Sequence, residues 1–189
     1  MKKLFKYILI LFLIFVALAV WKPEYFVSAP VEPVFTIVVP ESGNPNQEVG
    51  VYESAQGFSG SFDIVDEADG RGSVVTIESL RTNVDGSHAV VPFGVNYGGT
   101  GTFIYLGLFA YSETDGWMHL DSFALGDRVA VDSVRTRTPV GEEGNIVVEY
   151  RIYGTSQAFS EDPNEPAIAS FVIDREQLLP RPIYDGSIN

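Results

Sequence analysis

The chain has 189 residues, 46% of them apolar, with no cysteine and a formal net charge of −13. The missing thiols exclude a disulfide framework and a thiolate metal site. All four lysines fall within the first 22 residues, so beyond them 8 arginines stand against 25 acids, a balance of −17 that excludes a phosphate-binding basic patch.

Nucleic acid is therefore not expected as a partner, and an anionic membrane surface would repel the acidic part. Met1–Lys6 is short and basic, and Tyr7–Trp21 is an unbroken apolar run that Leu4 and Phe5 extend. About 20 apolar residues span a bilayer core as a helix. Leu4–Trp21 is long enough, with Lys6 snorkelling to the headgroups and Trp21 and Tyr25 at the outer interface. The lysine bias predicts a single-pass helix with its N-terminus in the cytoplasm and the rest outside it. Cleavage after Ala17-Leu18-Ala19 or Val27-Ser28-Ala29 is the competing reading, and it would release the remainder as a secreted protein. No cysteine follows the helix, so a lipidated anchor is excluded. The expected organisation is a membrane anchor or signal segment over 1–21 and a Pro-containing spacer over 22–33. A β domain over 34–176 and a loosely ordered tail over 177–189 follow.

From Val34 on, strand signals recur with turn signals between them. Val34–Val39 alternates Phe35, Ile37 and Val39 before Pro40, and Glu41–Glu48 reads as a polar loop. Gly57–Val65 places Phe58, Phe62 and Ile64 on one face. Asp69-Gly70 marks a hairpin turn. Ser73–Leu80 returns from it with Val75 and Ile77 alternating against Thr76 and Glu78. Asn83–Gly86 turns again, and His88–Val95 is a strand whose Pro92 argues for an edge or a bulge. Thr102–Tyr111 carries no charge. Phe103, Tyr105, Phe109 and Tyr111 share one face with Gly107, and Ile104, Leu106, Leu108 and Ala110 share the other. A strand apolar on both faces is expected to be central and covered on both sides. Strands near Trp117–Leu125 and Arg128–Val134 complete a meander, with a tight turn at Gly126-Asp127-Arg128. Asn145–Tyr153 is amphipathic, Gly154–Pro166 is a polar loop, Ile168–Asp174 is the last strand, and Arg175–Leu179 has room for one helical turn. Eight or nine strands at roughly ten-residue spacing predict an antiparallel sandwich or a barrel-like domain.

The run GGTGTFIYLGLF, then LGDRVAVDSV, then GNIVVEYRIYG resembles a module of uncharacterised bacterial secreted proteins and lipoproteins. The resemblance covers Gly98 to about Gly154. It implies a β-fold and assigns no activity and no functional residue. The chain departs from the lipoprotein members by having a helix where they have a lipidated cysteine.

Chemistry-bearing patterns are sparse. The chain has two histidines, His88 and His119, and no GxSxG elbow or HExxH helix accompanies them. His119 alternates with Trp117 and Asp121 and is expected at a surface or in a cross-strand hydrogen bond. The GGTG run precedes a strand, whereas a dinucleotide fingerprint precedes a helix. Two acidic loops offer oxygens for a hard cation: Asp63, Asp66, Glu67 and Asp69 around one hairpin, and Glu161, Asp162 and Glu165 in another. Calcium is thus the one cofactor these loops suggest. Tyr105, Tyr111 and Trp117 are candidate sugar-stacking rings if exposed, and a packed core is their other role. The expected role is non-enzymatic, a binding or structural module of the cell envelope with a protein or glycan partner and no catalytic residue. The alternatives are a calcium- or carbohydrate-binding module and, behind it, a hydrolase built on a carboxylate pair. Aromatic rings across Gly107 would make its face a packed layer.

Overall fold

A computed structural model describes residues 32–42, 44, 46–55, 57–64, 70–137 and 145–182. The expected membrane helix over Leu4–Trp21 and the spacer before residue 32 lie outside the described residues. Among the described residues no helix is long and apolar enough to cross a membrane.

Among the described residues twelve strands form: β1 Phe35–Val38, β2 Glu48–Ser54, β3 Gly57–Asp63, β4 Arg71–Thr76, β5 Thr82–Asn83 and β6 His88–Asn96. They continue as β7 Phe103–Ser112, β8 Gly116–Asp127, β9 Ala130–Arg137, β10 Asn145–Ile152, β11 Glu165–Asp174 and β12 Gln177–Arg181. The first sheet runs β4-β3-β2-β1-β8-β7-β6-β5, and β4 also pairs with β6. That extra pairing closes seven strands into a barrel, which removes the sheet edges a sandwich would leave. The closed barrel departs from a purely antiparallel fold at one seam. There β1 runs parallel to β8 through Phe35↔Trp117 and Thr36↔Met118. The remaining four strands, in the order β12-β11-β10-β9, make a separate antiparallel sheet.

β7 shows why the sequence folds this way. Tyr105 and Phe109 point into the barrel with Phe35, Phe93 and Val91, while Leu106 and Leu108 point out against Phe171, Ile146, Val148 and Leu178 of the second sheet. The strand is apolar on both faces because both are covered, as its sequence predicts. Phe103 and Tyr111 extend past the cover at the two ends and are exposed. The rings inside form a continuous chain. Phe93 stacks on Tyr105 at 5.4 Å, Phe35 meets Phe109 edge-on at 5.4 Å, and Phe93 meets Phe109 at 6.3 Å. A barrel of this strand number has an interior that side chains just fill.

Pro92 sits in neither an edge nor a bulge. β6 pairs with β7 along its length, while its other side is shared between two partners. β5 takes Ala89 and Val90, and β4 takes Phe93 to Asn96. Pro92 falls in the gap between them, where no ladder donor is needed, and its carbonyl accepts Ile77 N–H at 2.8 Å. Because the chain turns there through a short 3-10 helix at Glu78–Leu80, β4 ends at Thr76. Its phase also differs from the expected one. Val74 is buried within the barrel cluster and Thr76 is buried too, whereas Val75 is exposed.

Two further departures concern strands. β2, within a stretch that sequence leaves between a polar loop and β3, alternates only Val49 and Val51 inward. At the C-terminal end no helical turn forms. Arg175 and Glu176 have φ of 48° and 69° and make the two-residue turn of a β11–β12 hairpin, with Asp174 opposite Gln177. The first part of the expected loose tail, Gln177–Arg181, is therefore an ordered strand. A two-residue hairpin with positive φ at both central positions is a type I′ turn, which favours Asn-Gly. Arg175 and Glu176 carry a Cβ cost there. Replacing the pair by Asn-Gly is expected to raise unfolding stability by about 1 kcal/mol. A higher urea midpoint at an unchanged slope is the sign to look for.

β12 is the edge of its sheet, and its outward donors are few. The hairpin register turns Leu178 N–H away from β11, and that amide donates to Asp121 Oδ2 at 2.7 Å. Pro180 and Pro182 have no N–H to offer. Asp121 thus ties the barrel to the second sheet and closes the edge at once. Asp121→Ala leaves the Leu178 amide without its acceptor, an expected loss of about 1–2 kcal/mol in unfolding stability.

Candidate functional site

At one end of the barrel, β7 ends and β8 begins, and Tyr111 lies opposite Trp117. Their rings are 5.2 Å apart at 57°. Tyr111 is 51% exposed, while Trp117 leans on the interior cluster. The 3-10 turn brings Arg81 to the same place, with its guanidinium carbon 5.4 Å from the Trp117 ring centre. Arg81 Nη1 pairs with Glu78 Oε1 at 2.7 Å, and Glu78 Oε2 is buried with no partner. Burial pushes the Glu78 carboxyl up, against the opposing pull of Arg81. Two rings, a planar cation and a partly desolvated acid therefore meet at one rim.

Tyr105 does not join them. It is 3% exposed inside the barrel. Its hydroxyl lies 3.2 Å from that of Tyr97, which donates to the Pro40 carbonyl. Burial first, and the neighbouring hydroxyl second, push Tyr97 far above the usual phenol range. These two close the opposite end of the barrel, so of the three candidate rings only Tyr111 and Trp117 remain together.

His119 is one step further in than Trp117. Its ring lies 5.3 Å from Phe109 and 5.5 Å from Phe93, and its Nε2 is buried without a partner. It faces the barrel interior and not a surface. Asp121 does not share that face, because the ladder slips between Leu108 and Phe109. Phe109 opposes His119 and Leu108 opposes Asp121, so Leu120 is the extra residue of a bulge. That bulge re-aims Asp121 toward Leu178. A second slip between Ile104 and Tyr105 skips Leu125 in the same way. Strict alternation from sequence cannot carry side-chain direction through such a bulge. Burial brings the His119 pKa down to about 4, against the opposing effects of a hydrogen bond to the Asp121 backbone and of the Asp121 charge.

Asp85, Ser87 and His88 gather at the turn into β6. Asp85 Oδ1 accepts the amides of Ser87 and His88 at 2.7 Å each, and Asp85 Oδ2 lies 3.0 Å from His88 Nδ1. Ser87 Oγ lies 3.1 Å from that same Nδ1. A serine triad needs its nucleophile and its orienting acid on opposite ring nitrogens. Here both touch one nitrogen, which makes the trio a turn cap. The amide of Ser87 is the main reason the Asp85 carboxyl is held down at about 2. Asp85 and His88 border an open hollow of about 480 Å³ shared with Val172, Ile173, Arg175 and Glu176.

Of the two acidic loops, the one holding Glu161, Asp162 and Glu165 falls wholly within the described residues. Asp63 lies 3.9 Å from Arg71, both exposed, and Asp66, Glu67 and Asp69 lie outside the described residues. In the loop holding Glu161, Asp162 and Glu165, backbone carbonyls accept protein donors. Glu161 accepts Tyr153 Oη at 2.8 Å, Asp162 accepts Gln157 Nε2, and Pro163 accepts Arg151 Nη1 at 3.1 Å. Among the described residues no three His, Cys, Asp or Glu side chains gather around one point.

No protein-family model, no curated protein and no solved structure matches this chain. The site is thus carried by geometry. Sequence reading reaches Tyr111 and Trp117, because both are aromatic residues at the ends of predicted strands. It misses Arg81 and Glu78, since nothing in their spacing announces a 3-10 turn that folds back over a ring.

Proposed function

We propose that the chain is a membrane-held β-barrel module that works outside the cytoplasm through binding or structural contact, without catalysing a reaction. One observation carries the binding part of this reading. The barrel interior is filled by Phe35, Phe93, Tyr105, Phe109 and His119, so contact with a partner falls to the rim and the outer faces. The tether rests on the sequence, where an apolar run behind Lys2, Lys3 and Lys6 precedes a lysine-free acidic domain. The non-enzymatic part rests on how the ionisable groups are used. Asp85 caps a turn, Asp121 ties two sheets, and Glu78 is held by Arg81. A carbohydrate-binding role is the second reading, and the exposed Tyr111 beside Trp117 favours it.

Membrane fractionation with N-terminal sequencing of the mature protein tests the tether. A membrane-bound product that retains Leu4–Trp21 is expected. A soluble product beginning at Val20 or Pro30 would overturn it.

A further inference from the structure

We propose that the rim formed by Tyr111, Trp117, Arg81 and Glu78 is a binding platform for a neutral pyranose unit of a glycan. The inference rests on the binding reading above and names its site and ligand class. A pyranose has a face of C–H groups and a girdle of hydroxyls. It needs apolar rings to cover the first and directional donors and acceptors to meet the second.

The rim supplies both. Tyr111 and Trp117 are tilted at 57° with centres 5.2 Å apart, so they present an angled apolar surface and not a parallel sandwich. Tyr111 stays half-exposed even with Trp117 against it, which leaves ring area available to a ligand. Arg81 lies against Trp117 and spends Nη1 on Glu78. Among the described residues its other N–H groups have no protein acceptor, and a planar fork fixed on a ring is a directional donor. Glu78 holds Arg81 in place through Oε1, so Glu78 is a positioning residue and Arg81, Tyr111 and Trp117 make the contacts.

Charge narrows the ligand. The part beyond Lys22 has a balance of −17, and the rim cation Arg81 is already paired. An acidic saccharide would meet net repulsion, so the platform suits a neutral one. It is an open surface at a strand end, which suits a unit within a chain better than a free monosaccharide sealed in a cavity.

The test uses the full chain in a detergent without a sugar headgroup. Trp21→Phe leaves Trp117 as the reporter, since the chain has two tryptophans. Titration with chitohexaose and cellohexaose is expected to shift Trp117 emission saturably with at least one of them. Tyr111→Ala and Arg81→Gln, each checked for an unchanged unfolding midpoint, are expected to weaken that binding at least tenfold. Glu78→Gln should weaken it less, and oligogalacturonate, an acidic probe, should not bind. No saturable shift with either neutral probe at millimolar concentration overturns the proposal. So does neutral binding that both folded rim variants retain, or binding of the acidic probe at equal strength. Membrane attachment is scored separately by fractionation, so loss of the glycan result leaves the tether untouched, and loss of the tether leaves the glycan result readable.

Discussion

Gly107→Val is expected to destabilise the domain by about 3 kcal/mol, at the upper end of what overpacking costs. A Cβ built on Gly107 would lie 2.6 Å from Phe109 Cε2, 2.8 Å from Phe93 Cε1 and 3.1 Å from Phe109 Cζ. Both rings are fully buried and packed on each other and on His119, with Phe93 also stacked on Tyr105 and Phe109 also against Phe35. Neither has room to withdraw, because a close-packed interior transmits a displacement to the next side chain. Valine brings two methyls beyond that Cβ. Its favourable strand propensity, within about 1 kcal/mol, does not offset the clash. Urea unfolding of the full chain in detergent reads the change as a lower midpoint. An unchanged or raised midpoint would mean that the ring face yields, and that the interior is not a filled layer.

The second large effect is a loss of stability in acid, traced to His119. The folded barrel holds the ring neutral with a pKa of about 4, whereas an unfolded chain takes up the proton at about 6.5. Below pH 6.5 the unfolded state therefore binds more protons than the folded one. Stability falls as pH drops from about 6.5 to about 4 and levels off below that. The full difference corresponds to about 2–3 kcal/mol, allowing for the partial exposure of the ring. His119→Leu, similar in volume and without a titrating group, is expected to flatten this part of the profile. Carboxylates add their own slope at lower pH, so the difference between the two chains is the quantity to measure. Equal losses in both between pH 7 and 4.5 would remove His119 from the account.

These two residues also mark how far sequence reasoning reaches. The uncharged strand at Thr102–Tyr111 declares its two apolar faces, and Gly107 in the middle of an aromatic row declares a ring lying across it. Both features depend on neighbours two residues away, which a sequence displays directly. The sequence places His119 at a surface or in a cross-strand hydrogen bond, on one face with Asp121; His119 lies inside, and Asp121 does not share its face. A bulge at Leu120 costs one residue of phase, and no local composition marks it. Pro92 is legible as a place without a ladder donor. Its context, a handover from β5 to β4, depends on a pairing between strands far apart in sequence. The barrel closure through β4 and β6 is of the same kind: four register pairs from Ser73↔Asn96 to Thr76↔Phe93 decide it. Arg175 and Glu176 mislead for the opposite reason. They are good helix formers placed in a turn that asks for asparagine and glycine, and tertiary pairing of β11 with β12 overrides their propensity.

The same division holds for the rim. Tyr111 and Trp117 face each other because a short turn joins their strands, and that is readable. Arg81 arrives from a different part of the chain, through the handover at Pro92. The candidate site is therefore half visible in the sequence, and its polar half comes from topology.

The absence of cysteine from the chain makes one measurement especially direct. Ser156 is exposed in the loop after β10, so Ser156→Cys introduces a single thiol. Cells stripped of any outer layer, with the inner membrane intact, are treated with a membrane-impermeant maleimide and then fractionated. A membrane-tethered module working outside the cytoplasm predicts full labelling before lysis, on a band of full length that stays with the membranes. Labelling that appears only after lysis, or a labelled band that is soluble and shortened, would contradict it.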